Sequence, residues 1–405
     1  MLLKSQIEEV VASQNADKAP QNEVVREQRA QVPQVLHFAS IITGIRRCGK
    51  STLMGQIMRS FPKEEVLYLN FDDINLIAFE QDDFSRLHKV VVEHYPKVLF
   101  FDEPQLVKGW EIFVHQLLRE NYQVFVSGSN ASMLSIELGT HLTGRHLSVE
   151  LFPFSFDEYL SFTCMERSLE SFTCYLKEGG MPEYLQSHER RVIQSLFDDI
   201  LIRDIAVRKG IRNVDGLRGL ALYLLMNVAK PFTANRLSTM MEDMAPSTLL
   251  EYVDFMRDAY LIDTVGLYSD SMRVTIRNPK KVYAMDNGLV STVTLSKSQD
   301  WGRLLENYQF LCLRKRHKGH VFYFKEKGEC DFVVTDEANH PKELYQVCWE
   351  MQETTTWQRE MDGIIEASTM TKCDNLFIIT HHDEEVIQQN GKTVKVIPAW
   401  KWMLE

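Results

Sequence analysis

From His37 onward the chain alternates between short apolar runs and amphipathic stretches. The apolar runs lie at residues 41–43, 66–71, 98–101, 123–127 and 146–151. Strands joined by helical crossovers run parallel and need cover on both faces. The pattern therefore predicts an α/β fold built on a five-stranded parallel sheet. Residues 1–36, rich in Gln, Glu, Lys and Val, predict a helical or partly frayed lead-in with few apolar positions to dock it. Residues 154–196 read as helical, interrupted by a turn at Gly179-Gly180-Met181-Pro182. Residues 197–295 predict a compact helical module with helices at 215–227, 233–241 and 247–257 and a β-ribbon at 260–268 and 281–285. Residues 296–405 predict a separate small α/β domain. Its expected elements are helices at 304–316 and 356–370 and strands at 320–325, 330–335, 344–348 and 375–380. The expected domains are thus 1–36, 37–153, 154–196, 197–295 and 296–405.

Composition narrows the class only a little. A chain of 405 residues suits two or three domains, and 44% apolar with 25% charged residues is ordinary for a soluble protein. No window approaches the ~20 consecutive apolar residues of a membrane span. The first residues break into Ile-Glu-Glu where a signal peptide needs an apolar core. The seven cysteines are scattered and odd in number, as free thiols of a reducing compartment would be. These features point to a cytoplasmic protein without a membrane partner. A net charge of −11 argues against a broadly basic nucleic-acid surface, although a local basic stripe is compatible with it.

Candidate chemistry changes the picture far more. Gly44, Ile45, Arg46, Arg47, Cys48, Gly49, Lys50 and Ser51 meet the pattern GxxxxGK[ST] in full, with Thr52 following. The stretch lies between an apolar strand and an amphipathic helix, which is the context the motif requires. Its glycines let successive N–H groups wrap a phosphate at a helix N-terminus. Lys50 is expected to reach the β- and γ-phosphates of ATP, and the Ser51 hydroxyl to bind Mg²⁺. About fifty residues on, the run Val98-Leu99-Phe100-Phe101 ends in Asp102 and Glu103. That order sets two carboxylates at the edge of the sheet where ligands bind. Asp102 is expected to hold Mg²⁺, usually through water, and Glu103 to polarise the attacking water. One strand, 66–71, lies between the two motifs in sequence. Its last Asn, Asn70, is a candidate restraint on Glu103.

A strand inserted between the phosphate-loop strand and the acidic strand, with a catalytic Glu after the Mg²⁺ ligand, resembles the additional-strand division of P-loop NTPases. By similarity to AAA+ ATPases, Asn130 or Ser129 at the end of the next strand would orient the water. Arg145, in Leu142-Thr143-Gly144-Arg145, would reach the γ-phosphate of a neighbouring subunit. Such a finger contributes ~10³–10⁵ in rate where it is known. Four stretches carry a wider resemblance: GIRRCGKST, FDEPQLVKGW, the run from Ser127 to Leu160, and GGMPEY with the later LLENYQF and GECDFVV. Over residues 37–380 the chain resembles bacterial and archaeal AAA-type ATPases with a helical/winged-helix middle and a restriction-endonuclease-like C-terminal domain. The resemblance implies a homo-oligomer, a ring such as a hexamer, that works on a partner, with DNA or RNA the first candidate.

The resemblance also directs attention to two further regions. In a winged helix the third helix often enters the DNA major groove. Here that helix carries Glu251, Asp254 and Asp258 against Arg257, a poor set for phosphate contacts, so packing or a protein interface is an equal reading. The more basic Arg203, Arg208, Lys209, Arg212 and Arg218 precede it, and Arg203 alternatively serves the ATP site. Nucleases of the PD-(D/E)xK fold use a helix carboxylate, a strand Asp and a Glu-x-Lys to hold divalent metal and activate water. The corresponding residues are Glu306, Asp331 and then Gln346 and Cys348, with Glu329 and Glu350 as nearby acids. Glutamine carries no charge and cysteine cannot replace an ammonium. The expectation is a vestigial nuclease site with weak metal binding.

Overall fold

Five strands, β1 (Ala39–Thr43), β2 (Val66–Asn70), β3 (Val98–Asp102), β4 (Gln123–Gly128) and β5 (His146–Glu150), form one sheet in the order β2-β3-β4-β1-β5. Every pairing in it is parallel. The expected parallel α/β sheet is therefore present, each strand within two residues of its predicted ends. In space, however, the strand inserted between β1 and β3 is β4, whereas β2 lies at the edge. This computed structural model describes residues 1–16, 23–94, 96–130, 144–241, 244–269, 271–294, 300–351 and 354–402. Leu142 and Thr143, and most of the polar stretch 296–300, lie outside the described residues. The chain divides into two compact units, residues 1–162 with 258–260, and residues 163–257 with 261–405.

In the first unit, α1 (Lys4–Asn15), α2 (Lys50–Met58), α3 (Phe84–His94) and α4 (Trp110–Arg119) accompany the sheet. Trp110, Phe113, Val114, Leu117 and Leu118 recur at the spacing of one helix face, and all are buried. They join Leu87, Val90 and Val91 of α3 and alternate strand residues such as Leu67, Leu69, Leu99, Phe101, Val124 and Val126 in one apolar core. Phe100 and Phe125 point to the other face, their rings stacked at 4.6 Å. Alternation along β3 thus serves two cores, which is why its five residues are all buried.

The lead-in is better anchored than its composition suggests. Ile7, Val10 and Val11 of α1 are buried. At its end, the side-chain amides stand in for a missing sixth strand. Asn15 accepts from Tyr68 N at 2.9 Å and donates to Tyr68 O at 2.8 Å. Gln14 does the same for Asn70, at 2.7 and 3.2 Å. The outward peptide groups of Tyr68 and Asn70 on edge strand β2 are satisfied by these two side chains.

Arg26, just before a short 3₁₀ turn (Glu27–Gln31), is also fully buried. Its Nε donates to Glu158 Oε1 at 2.9 Å, Nη1 to Cys48 O at 2.7 Å and Nη2 to Phe152 O at 2.7 Å. Glu158 in turn accepts the N–H groups of Glu27 (2.8 Å) and Ser155 (3.0 Å). The guanidinium also stacks 4.9 Å from the Phe154 ring centroid. Arg26 therefore ties the lead-in to the back of the phosphate-binding stretch.

The second unit holds two more sheets. β6 (Pro231–Phe232), β7 (Ile262–Val265) and β8 (Lys280–Ala284) make a small antiparallel sheet, β6-β8-β7, accompanied by helices Val214–Met226, Ala234–Met240 and Pro246–Asp258. β9 (Val321–Lys325), β10 (Glu329–Thr335), β11 (Pro341–Cys348), β12 (Leu376–Thr380), β13 (Glu385–Gln389) and β14 (Lys392–Pro398) form a mixed sheet in the order β13-β14-β12-β11-β10-β9. Helices Trp301–Arg316 and Thr354–Thr371 pack beside it. The last hairpin, β13–β14, is not among the elements expected from the apolar pattern.

Removing one member of a buried, hydrogen-bonded ion pair strands the other. Arg26→Ala is expected to lower unfolding free energy by roughly 3–5 kcal/mol. A urea midpoint equal to that of the unaltered protein would show that the pair carries no such weight.

Candidate functional site

The site begins where β1 ends. Gly44 adopts φ +145°, and a Cβ there would stand 2.1 Å from Leu151 O, so only glycine fits this close backbone approach. Arg47 and Gly49 also take positive φ, 63° and 100°. Such reversals line up backbone N–H groups in a concave nest suited to an anion. Lys50 then opens α2, at the positive end of the helix. Its side chain is buried, with Nζ donating to Gly44 O at 3.1 Å and Ile45 O at 3.2 Å. The ammonium thus lies across the loop that would hold the phosphates. Around it, Ile45 is buried, Arg46 and Arg47 are half-buried, and Thr52 is half-buried behind Ser51. Cys48 is buried, its Sγ donating to Leu151 O at 3.5 Å, and burial pushes its thiol up from the ordinary range.

The acidic strand meets this loop from two strands away. Ser51 Oγ donates to Asp102 Oδ2 at 2.6 Å. Tyr68 OH donates to the same oxygen at 3.0 Å, and Ser127 Oγ donates to Oδ1. Burial, and then the Asp102 charge, push the Tyr68 phenol far up, so it stays a donor. Asp102 is only 2% exposed, and its carboxylate is oriented from three strands or helices at once. A hydroxyl and a carboxylate in contact beneath a phosphate-binding loop are the donor set that Mg²⁺ takes in such sites. These residues fit ATP with Mg²⁺.

Glu103 is the first residue past β3 and takes a left-handed backbone, φ +54°. Its N–H donates to Ser127 O at 3.0 Å. Its Oε1 lies 4.0 Å from Lys50 Nζ. Its Oε2 accepts from Gln105 Nε2 and from Ser129 Oγ at 3.3 Å. Asn130 follows, buried, at the end of β4. The restraint on Glu103 expected from Asn70 comes instead from Gln105 and Ser129. Asn70 Oδ1 accepts the N–H of Asp72 at 2.8 Å in its own turn. Gln105 is a neighbour that the sequence reading passed over. Its one signal was its place two residues after an Asp-Glu pair.

Arg145 stands apart from this group. It is exposed, and its carbonyl accepts from Ala39 N at 3.0 Å, beside the first residue of β1. β1 and β5 are parallel, Ala39 opposite His146 and Thr43 opposite Glu150. Arg145 therefore sits at the opposite end of the sheet from the phosphate-binding loop, roughly 13 Å along the strands.

In the second unit, the expected nuclease residues gather around a side chain that the motif did not include. Lys281 of β8 is buried, its Nζ 3.1 Å from Glu306 Oε1, 2.8 Å from Glu329 Oε1 and 2.9 Å from Asp331 Oδ1. Tyr283 OH donates to Glu306 Oε1 at 2.8 Å. Burial alone would push the Lys281 ammonium down. Asp331, Glu306, Tyr283 and Glu329 reverse that and hold it well above its ordinary value. Burial, then the Asp331 charge, push the Glu306 carboxyl up. Gln346 accepts from Asp331 N at 3.2 Å and donates to Glu360. Cys348 Sγ donates to Glu350 O at 3.1 Å, and burial raises its thiol to about 11. The Glu350 side chain is exposed. Among the described residues, no group of three or more His, Cys, Asp or Glu side chains is arranged to hold a metal ion. The neighbouring basic residues are largely spent internally. Arg208 pairs with Asp204 at 3.5 Å and Arg218 with Asp198 at 2.6 Å, while Lys209 Nζ lies 4.7 Å from the Phe255 ring centroid. Arg203 is exposed on a π-helix, Ile200–Val207, and Arg212 is exposed beyond it. No helix among the described residues is long and apolar enough to cross a membrane.

Residues 37–160 match the family model described as AAA domain, and residues 169–300 match one described as Domain of unknown function (DUF8612). An uncharacterized protein of Methanocaldococcus jannaschii is 32% identical over 394 residues, 90% of this chain and 88% of its own. An uncharacterized protein of Haemophilus influenzae is 28% identical, over 91% of this chain and 94% of its own. Two solved structures are similar at a much lower level. One is a signal transduction ATPase with numerous domains and a tetratricopeptide repeat sensor, from Pyrococcus horikoshii. It has 15% identity and a TM-score of 0.30 over 75% of this chain and 47% of that one. The other is the Hsp104–ADP complex of S. cerevisiae, with 16% identity and a TM-score of 0.29 over 54% of this chain and 36% of that one. The chain spans less than half the length of either, and TM-scores this low establish no common overall fold. The AAA domain match covers the loop, strand and carboxylates described above, and the match to the archaeal protein runs nearly end to end. The chain belongs to the family of that M. jannaschii protein, and its first unit is an AAA-type P-loop ATPase domain.

Proposed function

We propose that this protein hydrolyses ATP to ADP and phosphate with Mg²⁺, and that it does so as a homo-oligomer acting on a nucleic acid. The observation that carries the reading is the contact between Ser51 and Asp102, with Lys50 above it and Glu103 beside it. The loop 44–51 binds the phosphates, and Lys50 takes the charge of the β- and γ-oxygens. Ser51 and Asp102 hold Mg²⁺, which neutralises phosphate charge when bound. Glu103 accepts the proton of the attacking water, and Asn130 or Ser129 orients that water. Its Oε2 is the oxygen held by Gln105 and Ser129, and its Oε1 the one nearer Lys50.

Arg145 lies at the far end of its own sheet, which supports a role in trans: the guanidinium completes the site of an adjacent subunit. We read the β6–β8 module as a winged helix and the β9–β14 module as restriction-endonuclease-like, the two parts that meet the partner. ATP turnover that neither DNA nor RNA alters would replace nucleic acid by a protein partner.

A second reading, an ATP-gated nuclease, has Lys281 in its favour. Its ammonium supplies, from β8, the charge that Cys348 lacks. The same ammonium neutralises the carboxylates a metal would need, and for that reason we favour a closed ion-pair centre.

Lys50→Ala is expected to abolish ATP binding, read by fluorescent-nucleotide titration. Glu103→Gln is expected to bind ATP normally and to lose about 10²–10⁴-fold in turnover. Retained wild-type turnover would remove Glu103 as the base. Mixing Arg145→Ala with Lys50→Ala subunits should restore part of the activity that each lacks alone, and full activity of isolated monomers would refute the finger. With Mg²⁺ or Mn²⁺, the protein should leave DNA and RNA uncut. Lys281→Met should destabilise the second unit by roughly 3–5 kcal/mol by stranding the carboxylates. Cleavage that disappears in Asp331→Ala would establish the nuclease instead.

A further inference from the structure

Gln105 occupies a position that its own hydrogen bonding does not justify. It lies in the 3₁₀ turn Pro104–Leu106 and is 7% exposed. Its Nε2 donates to Glu103 Oε2, but its Oε1 is buried with no partner. An orphaned buried carbonyl is costly and calls for an explanation. Rotating the amide by half a turn would not relieve it, because the carbonyl would then face the Glu103 carboxylate. The amide is held there by packing. Its Oε1, Cδ and Nε2 would lie 2.9, 3.1 and 3.1 Å from a Cβ on Gly128, so the glycine at the end of β4 makes room for it. The residue it serves is itself in an unfavourable backbone conformation, φ +54°. Two unfavourable local arrangements persist side by side, and both fix the same carboxylate.

We propose that Gln105 is a positioning residue for Glu103, an inference that rests on Glu103 being the water-activating base. Its N–H holds Oε2 in one rotamer. Oε1 lies on the side of Lys50. Gly128 is part of the device, because any side chain there displaces the amide.

The test uses the full-length protein with ATP and Mg²⁺. Gln105→Met keeps the volume, loses the donor and removes the orphaned carbonyl. It should lower kcat at least tenfold and leave the KM for ATP within about twofold. Its thermal midpoint should be equal or higher, an outcome opposite to that of losing a merely structural residue. Gly128→Ala should reproduce the fall in kcat. Unchanged kcat in Gln105→Met, with Glu103→Gln inactive, would overturn the proposal while leaving the base assignment standing. A fall in kcat accompanied by a lower thermal midpoint and a raised KM would also overturn it. Wild-type turnover in Glu103→Gln would remove the base assignment, and the role of Gln105 with it.

Discussion

The hydrogen bond between Ser51 and Asp102 spans two strand spacings, about 9.6 Å of sheet. It closes only because α2 rises directly from β1 and leans over β4 toward β3. Moving β4 elsewhere would bring the two motifs side by side and leave no third strand above the γ-phosphate position. With β4 between them, Ser127 and Ser129 come within reach of Asp102 and Glu103. Phosphate loop, acidic pair and polar strand end are therefore one construction. The parallel order imposes it, since all carboxyl ends of a parallel sheet fall on one edge.

Much of this was legible in the order of residues. The strands of the first sheet announce themselves as apolar runs because parallel strands are buried on both faces. The motif 44–51 and the pair Asp102-Glu103 could be assigned because their chemistry depends on fixed spacing. What was not legible has physical causes of its own. Arg26 and Glu158 are 132 positions apart, and nothing local distinguishes a buried guanidinium from a solvated one. Gln14 and Asn15 look like ordinary polar ends of a weak helix until an open strand edge gives them partners. The hairpin β13–β14 did carry a signal. Asn390 and Gly391 both take positive φ, as a two-residue turn requires, but the flanking strand 385–389 is too polar to read as a strand on its own.

Among the described residues two lysines, Lys50 and Lys281, are buried beside carboxylates, with different freedom. Lys50 is bound by two carbonyls and stands 4.0 Å from Glu103, contacts that phosphate oxygens can exchange for their own. Lys281 is bound by three carboxylates under 3.2 Å, in a setting so dry that a competing cation would have to displace an ammonium already desolvated. The first is a lysine arranged to be recruited, the second a lysine arranged to stay. Gln346 and Cys348 accord with that difference. One is spent on the Asp331 backbone and Glu360, and the other on a neighbouring carbonyl.

The cover that α1 lays over β2 has a consequence for association. Two amide side chains consume the backbone donors and acceptors of Tyr68 and Asn70, the groups a foreign strand would seek over that stretch of β2. Among the described residues, the other flank is β5, partly exposed, with one row of its peptide groups turned away from β1. Polarity is thereby built into the sheet: one margin is covered by side-chain amides, and the other, among the described residues, ends in a strand paired on one side only.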